Sequence, residues 1–417
     1  MAQLSADSFA FGGALMRVED ALLVLTHHIP PIVDTELVSL IDSDGRVLAR
    51  PVEAPVNLPG FDNSAVDGYA VRYADLNPGA PTRLAVTGRV TAGAVPAQPA
   101  GTGTAVRIFT GAPMPAGMDT VFMQEDARLL GDAQVELPSG LARGANRRVK
   151  GEDIACGAEA LPSGRRLEPR DIALLAALGL AFVEVRRRPR VAVFSTGNEI
   201  CEPGAPLGPA AVFDANRFAL AAMLRRSGCV VTDLGILPDD RDTIQAGLSA
   251  ASQAHDLVVT TGGVSAGEED HVRAAIADQG SLVFWRLAIK PGRPIAMGVV
   301  NGTPMIGLPG NPVAVFVTFA CVVRPLIAAI SGTAQTPVLS SIVTAGFRYR
   351  KKAGRREYLR VSLERHDART VAIKYPIDGA GIITSLTRTN GLVELSEDQS
   401  DVEPGDNVPF IDYRQLT

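Results

Sequence analysis

Between Arg190 and Gly332 the sequence alternates apolar runs of strand character with segments of helical periodicity, and this alternation limits the fold more than any other feature. Strands are predicted at 191–194, 230–237, 257–260, 282–287 and 305–307, and helices at 215–226, 242–253, 268–278 and 312–330. Such alternation builds a mostly parallel, doubly wound sheet with helices on both faces. Ligands of such sheets bind outside the carboxyl ends of the strands. The loops that follow strands are therefore where chemistry is to be sought.

At 417 residues the chain exceeds what one hydrophobic core supports, and several domains are expected. A helical pattern carried by Val18, Ala21, Leu22 and Leu25 opens the chain, followed by a strand-like piece at Arg46, Val47 and Leu48. Short strand candidates at 84–86, 105–109 and 121–123, separated by Gly and Pro turns, then mark a small β region. A helix at 169–178 and a strand at 181–185 return to the opening style, so the β region is read as an insertion. The expected division is an elongated N-terminal domain (1–60 and 150–187), an inserted small β domain (61–149), an α/β domain (188–332) and a C-terminal small β-barrel-like domain (333–417). The last carries short strands such as 358–363 and 370–373.

A composition of 46% hydrophobic and 20% charged residues is that of a soluble globular protein, and 41 glycines with 29 prolines make it turn-dense. A net charge of -5 argues against a general nucleic-acid binder and for a small ligand. Cys156, Cys201, Cys229 and Cys321 show no CxxC spacing, which fits reduced, core-packing thiols of a cytoplasmic protein rather than a disulfide frame or zinc site. Residues 1–13 show no basic segment followed by an apolar stretch, as a secretory signal would require. The longest apolar run, 312–323, is short for a bilayer span and is read as stopping at Arg324, so no membrane partner is expected.

Four strand-end loops carry the chemistry: Ser195-Thr196-Gly197-Asn198-Glu199, Pro238-Asp239-Asp240, the stretch 260–270, and Leu308-Pro309-Gly310-Asn311-Pro312. The third reads Thr260-Thr261-Gly262-Gly263-Val264-Ser265-Ala266-Gly267-Glu268-Glu269-Asp270. Glycines let backbone N–H groups approach phosphate oxygens, hydroxyls add donors, and a following helix adds the positive end of its dipole. Carboxylates beside an anion cradle would repel the ligand unless a divalent cation lies between, which hints at phosphate with Mg²⁺. Arg286, Lys290 and Arg293 surround a nearby turn and would grip negative charge. Each piece alone is ordinary: Thr-Gly-Gly and Pro-Gly-Asn-Pro are common turns, Asp239-Asp240 and Glu268 suit helix starts, and lone cations suit a wet surface. It is their convergence on one edge that shifts the reading toward a site.

A second constellation lies in the β region, at 58–71 and 107–117, including Asp67 and Thr110, and is closed by Lys150-Gly151-Glu152-Asp153-Ile154. Asx-capped tight turns explain its composition equally well.

Taken together, these blocks resemble the molybdopterin molybdenumtransferases, the MoeA family that also includes the E domain of gephyrin-type proteins. The resemblance spans nearly the whole chain and rests on DNSAVDGYAV at 62–71, TGAPMPAG at 110–117, GEDI at 151–154, STGNE at 195–199, TTGGVSAGEED at 260–270, AIKPGRP at 288–294, GLPGNP at 307–312 and GAGIITSLTRTNGL at 379–392. It implies insertion of molybdate into adenylylated molybdopterin with Mg²⁺-dependent hydrolysis and release of AMP, giving molybdenum cofactor. It also implies a homodimer whose active site is shared between subunits, and transient contacts with other molybdenum-cofactor enzymes. On that resemblance Asp67, Thr110 and Asp153 would come from the inserted domain, and Glu199, Asp239 and Asp270 from the α/β rim as metal ligands. Ser195, Thr196, Gly197, Gly262, Gly263, Ser265, Gly267, Pro309, Gly310, Asn311 and Pro312 would cradle the pterin and its phosphate. Arg286, Lys290 and Arg293 would neutralise phosphate or molybdate.

Two positions depart from the family pattern: Asn198 stands where Asp is usual, and His271 where an aromatic is expected. The run 348–356 packs six basic residues into nine positions and is read as an exposed, solvated hairpin, the alternative being a guide for an anionic pterin. Two other functions stay open from sequence: a molybdopterin adenylyltransferase, which would need little beyond the α/β domain, and a non-catalytic cofactor-binding scaffold of the same fold.

Overall fold

The structure, a computed structural model, describes residues 15–94, 101–263, 271–333, 338–367 and 369–416. By its internal contacts the chain divides into two compact units, one comprising residues 1–36, 45–47 and 185–417, the other 37–44 and 48–184.

At the centre of the first unit lies a six-stranded sheet in the order Val230–Leu237, Arg190–Thr196, Leu257–Thr261, Thr303–Leu308, Pro294–Val300, Gly280–Arg286. The first four strands are mutually parallel, whereas Pro294–Val300 runs antiparallel to both its neighbours. Sequence reading missed that strand because it follows Gly280–Arg286 through residues 287–293 and turns tightly into Thr303–Leu308, with no helix on either side to mark a boundary. Side chains alternate between two cores: Val191, Val193, Leu257 and Val259 face Leu220, Leu224, Val317 and Phe319, while Ala192, Phe194 and Val258 face Ile244, Leu248, Val272 and Ile276. This period-two partition makes the sheet doubly wound.

The helix Pro312–Ile330 continues through Arg324 by way of a π-turn at Phe319–Val323, so the apolar run is longer than read from sequence. By length and composition it could cross a bilayer, but 67% of its most apolar window is buried inside the fold, as in the central helix of a large core. Val18 and Ala21 of the helix Val18–His28 pack into the same core, together with Tyr358, Leu392 and Ile411 of the C-terminal region.

In the C-terminal region the strands Arg356–His366, Arg369–Lys374, Ser341–Ala345, Asn407–Asp412 and Gly391–Leu395 close on themselves through pairing of the first with the last. A short strand, Ile289–Lys290, leaves the α/β region to pair in parallel with Arg356–His366, placing Lys290 opposite Glu357. The basic run 348–356 is not the uniform solvated hairpin expected. Arg348 and Arg350 are exposed and paired with Glu403 and Asp401, but Lys351 is buried with its ammonium on the carbonyls of Lys352 and Glu397. Arg355 and Arg356 turn inward onto Glu357 and onto Glu19 and Glu397.

The second unit holds a six-stranded sheet in the order Thr120–Met123, Gly68–Val71, Thr104–Ile108, Thr82–Val90, Gln134–Leu137, Arg128–Leu129. It carries one small core on each face. Val52–Glu53 pairs with Glu159–Leu161, and the helix Pro169–Ala177 is stabilised by a capping box between Glu168 and Asp171. Of the cysteines, all free, Cys229 is buried as expected, but Cys156 is exposed in this unit, a correction to the uniform core role. It sits on a surface turn whose backbone is tied to Asn57.

Candidate active site

In the first unit, the four parallel strands deliver their following loops to one edge, and hydrogen bonds knit those loops together. Thr196 Oγ1 donates to Asp239 Oδ1 at 3.3 Å, linking the first two. The Gly262 N–H donates to the Leu308 carbonyl at 3.2 Å, and Thr261 Oγ1 to the Pro309 carbonyl at 3.1 Å. Asn216, at the start of the helix Asn216–Arg226, donates to both Thr261 Oγ1 (3.1 Å) and the Gly310 carbonyl (2.7 Å). Ser195, Thr196, Gly197, Gly262, Gly263, Pro309, Gly310 and Asn311 thus share one edge with Asp239 and Glu199.

Glycine is required at two of these points. A Cβ on Gly262, which has φ +89°, would lie 2.4 Å from the Thr196 carbonyl. One on Gly197, at φ +146°, would lie 2.7 Å from the Glu199 carboxylate, which therefore folds back over its own loop. Among the described residues the buried hydroxyls of Ser195 and Thr260, at or next to the strand ends, have no hydrogen-bond partner.

The acids separate into roles. Asp240 caps the helix Arg241–Ala254 by accepting from Thr243 N (2.9 Å) and Oγ1 (2.7 Å), which holds its carboxyl below the ordinary carboxylate range. Asp239 is thereby left to the rim. Ser265, Gly267 and Asp270, with Glu268 and Glu269, lie outside the described residues. Among the described residues no group of three or more His, Cys, Asp or Glu side chains is placed to hold a metal ion. Glu199 and Asp239, on adjoining loops, supply two oxygen donors suited to Mg²⁺ and do not complete a site alone.

The three cations differ in setting, although the Leu287 N–H donates to the Arg293 carbonyl at 2.9 Å and keeps the ends of their turn side by side. Arg286 is exposed at the end of its strand and Arg293 is half-buried at the next turn, whereas Lys290 belongs to a separate cavity of about 240 Å³. That cavity is lined by Lys290, Pro309, Asn311, Tyr349, Glu357, Arg360 and Gly379, among others. Pro309 and Asn311 thus serve both the strand-end loops and the cavity. Ala380 fixes the junction by accepting the Val313 N–H at 2.9 Å. Arg360 was missed from sequence, although a cation inside the otherwise buried run of its strand is a signal that it has a partner or a ligand. It is 7% exposed, donates to Ser385 Oγ (3.1 Å) and to the carbonyls of Ile377 (3.3 Å) and Gly379 (3.2 Å), and burial depresses its pKa.

In the second unit, Asp67 Oδ1 accepts from Thr110 N at 2.7 Å and Thr110 Oγ1 at 2.9 Å. The motifs around them interlock through Ser64 and Gly111 and through Asp62 and Met114 backbones. Asp62 accepts from Arg147 (2.5 Å) and the Lys150 N–H (2.7 Å), and Asp153 is exposed on the closing turn.

Three family models cover nearly the whole chain in order: the MoeA N-terminal region (domain I and II) at 16–179, the probable molybdopterin binding domain at 192–329, and the MoeA C-terminal region (domain IV) at 343–413. A Haemophilus influenzae protein named molybdopterin molybdenumtransferase is 35% identical over 96% of this chain and 100% of its own length. The chain belongs to the MoeA family of molybdopterin molybdenumtransferases. A Nostoc sp. protein also named molybdopterin molybdenumtransferase is 38% identical over 76% of this chain and 75% of its own length. The crystal structure of the MoeA protein from Pyrococcus horikoshii OT3 superposes with a TM-score of 0.82 at 30% identity, covering 96% of this chain and all of the other. MoeA membership accounts for the whole domain series and not for the α/β part alone.

Proposed function

We propose that this protein inserts molybdate into the dithiolene of adenylylated molybdopterin and hydrolyses the adenylate, releasing AMP. The observation that carries this reading is the turn Pro309-Gly310-Asn311-Pro312, which borders both the knitted strand-end loops and the cationic cavity of Lys290 and Arg360. A nucleotide-bearing pterin along the loops would bring its dithiolene to a cavity where Lys290 and Arg360 offer donors to an oxyanion.

Each half suits its chemistry. Molybdate is a tetrahedral dianion and calls for N–H, hydroxyl and cationic donors, which Lys290, Arg360 and the Asn311 amide supply. AMP release requires water to attack the phosphoanhydride phosphorus as the P–O bond to the leaving phosphate breaks, with charge on the oxygens neutralised. Ser195, Thr196, Gly197, Gly262, Gly263, Ser265, Gly267 and Gly310 are proposed to cradle the phosphates, and Arg286 and Arg293 to offset their charge. Bound Mg²⁺ would neutralise phosphoanhydride oxygens; Glu199, Asp239 and Asp270 are proposed as its ligands. Asp67, Thr110 and Asp153 are proposed to complete the site from the partner of a homodimer. The four-domain division read from sequence and a cytoplasmic location belong to the same proposal.

The deciding experiment is AMP release from adenylylated molybdopterin with Mg²⁺, with and without molybdate, alongside Glu199→Ala. Molybdate-dependent release that the variant loses is the expected result. Tight binding by the wild-type protein without turnover would instead identify a scaffold, and a parallel assay in which molybdopterin and ATP give adenylylated molybdopterin and pyrophosphate would identify an adenylyltransferase.

A further inference from the structure

The buried end of the oxyanion cavity holds a group that neither the strand-end reading nor the motifs single out. Glu357 is 1% exposed, yet its carboxylate is fully engaged: it accepts from Tyr349 Oη at 2.5 Å, Arg355 Nε at 2.8 Å and Lys290 Nζ at 3.3 Å. Lys290 Nζ also donates to Tyr349 Oη at 3.0 Å. Glu357 and Lys290 are cross-strand partners between the C-terminal barrel and the short strand leaving the α/β region. A carboxylate is thereby carried from one domain to fix the cation of the other.

We infer that Glu357, with Tyr349, is a positioning device that holds Lys290 as a charged, fixed donor aimed into the oxyanion cavity. An ammonium has three N–H donors. With one on Glu357 and one on Tyr349, a single N–H is left for a ligand, turning a mobile point charge into a directional contact. Arg360 faces the same cavity with Nε and one terminal nitrogen already committed to Ser385 and to backbone carbonyls. Both cations are therefore oriented before the ligand arrives, which limits the entropy lost on binding.

The local charges agree. Burial works against the Lys290 ammonium, but the hydrogen bond to Tyr349 and the charge of Glu357 outweigh it and hold the lysine above its ordinary pKa. Burial and the hydrogen bond to Glu357 push the Tyr349 phenol up, keeping it the donor to the carboxylate. The other charged groups around the cluster are Arg355, Lys351, Arg360, Lys374 and Asp378; the Asp378 carboxylate also lines the cavity but is paired with Lys374 at 2.7 Å, and among the described residues the ion pair of Lys290 is with Glu357. Tyr349 also lies beneath Lys290 and Lys374, with the ammonium groups 5.6 and 5.8 Å from its ring centre.

This inference rests on the insertase reading, and its test separates the two. The molybdate dependence of AMP release is measured across pH for the full-length wild type, Lys290→Ala, Glu357→Gln and Tyr349→Phe. Glu357→Gln is expected to raise KM for molybdate on the order of tenfold, with kcat at saturating molybdate changing much less. Its alkaline limb should move to lower pH, because Lys290 loses the anion that sustains its charge. Tyr349→Phe should raise KM in the same direction by about threefold. A merely structural Glu357 would lower stability without moving the alkaline limb. If Lys290→Ala raises KM while Glu357→Gln leaves both KM and the limb unmoved, the positioning role is overturned. Should Glu357→Gln fail to fold, Tyr349→Phe decides, an unchanged KM overturning the inference. If Lys290→Ala has no effect on molybdate, the oxyanion cavity itself is misread.

Discussion

Asp67 Oδ1 receives both the backbone N–H and the hydroxyl of Thr110, at 2.7 and 2.9 Å, so one carboxylate oxygen ties together the motifs at 62–71 and 110–117. The backbone hydrogen bond, then the side-chain one, and the nearby Arg107 charge hold the Asp67 carboxyl below its ordinary value. A depressed carboxylate contributes stability that is present above the unfolded-state pKa and lost as pH falls through the folded one. Thr110→Val removes only the hydroxyl donor. Its penalty should be present at neutral pH and shrink to nothing in strong acid, read as thermal stability from about pH 7 down to pH 2. If Asp67 acts in its ionised form, the acid limb of AMP release should also move to higher pH; a limb that moves down would refute that role.

Gly262→Ala forces a side chain to within 2.4 Å of the Thr196 carbonyl at φ +89°, and both the clash and the backbone strain oppose it. A loss of roughly 1–3 kcal/mol is expected, with activity falling further because the strand-end loops separate. Gly310→Ala is the matched control. Its added Cβ meets nothing within 4 Å, so stability should change by less than about 0.5 kcal/mol. Equal effects in thermal melts would mean that the close packing of Gly262 on Thr196 does not constrain the loops.

Arg217 is 3% exposed and donates to Asp214 Oδ2 at 2.9 Å, Glu202 Oε1 at 2.5 Å and, at shorter range, to both oxygens of Asp233. The Asp214 carboxylate is itself 2% exposed, so Arg217→Met leaves it buried without its charge partner. That costs on the order of 3–5 kcal/mol. The backbone of Val212 is bonded to the Glu199 carbonyl at 2.8 Å, and the damage should therefore reach the Glu199 loop. Urea unfolding gives the stability loss, and a parallel rise in the Mg²⁺ needed for AMP release would report the loop.

The α/β sheet was legible because its signals are local: apolar runs of period two, helix starts, and glycine at strand ends. Asp239 and Thr196 could be assigned to one edge from that rule alone. Pro294–Val300 was not legible, since a hairpin strand between two other strands lacks the helix that flags a crossover. Arg360 and Glu357 escaped because their meaning is tertiary. Arg360 is satisfied by Ser385 and Ile377, remote in sequence, and Glu357, although it also meets Tyr349 and Arg355 nearby, reaches Lys290 only across the pairing of two distant strands. The basic run 348–356 misled for the same reason, its acidic partners Glu19, Glu397, Asp401 and Glu403 being remote. Lys290 illustrates both limits, being readable as an anion-binding residue but not as one held by the C-terminal barrel.

Asn198 is exposed beside Glu199 just after the strand Arg190–Thr196, and its neutral amide leaves that loop one charge short of the Asp that the resemblance leads one to expect. Asn198→Asp adds a carboxylate to a rim that already holds Glu199 and Asp239. In the absence of a cation the added charge repels its neighbours, whereas a Mg²⁺ held there, as proposed, would be attracted by it. The variant should therefore lower the Mg²⁺ concentration for half-maximal AMP release by about threefold to tenfold and make the protein slightly less stable without Mg²⁺. The sign is what matters, and a Mg²⁺ titration of AMP release paired with melts in chelator reads it. An unchanged Mg²⁺ requirement with a lower melting temperature in both conditions would place position 198 outside the metal's reach and leave Glu199 acting without it.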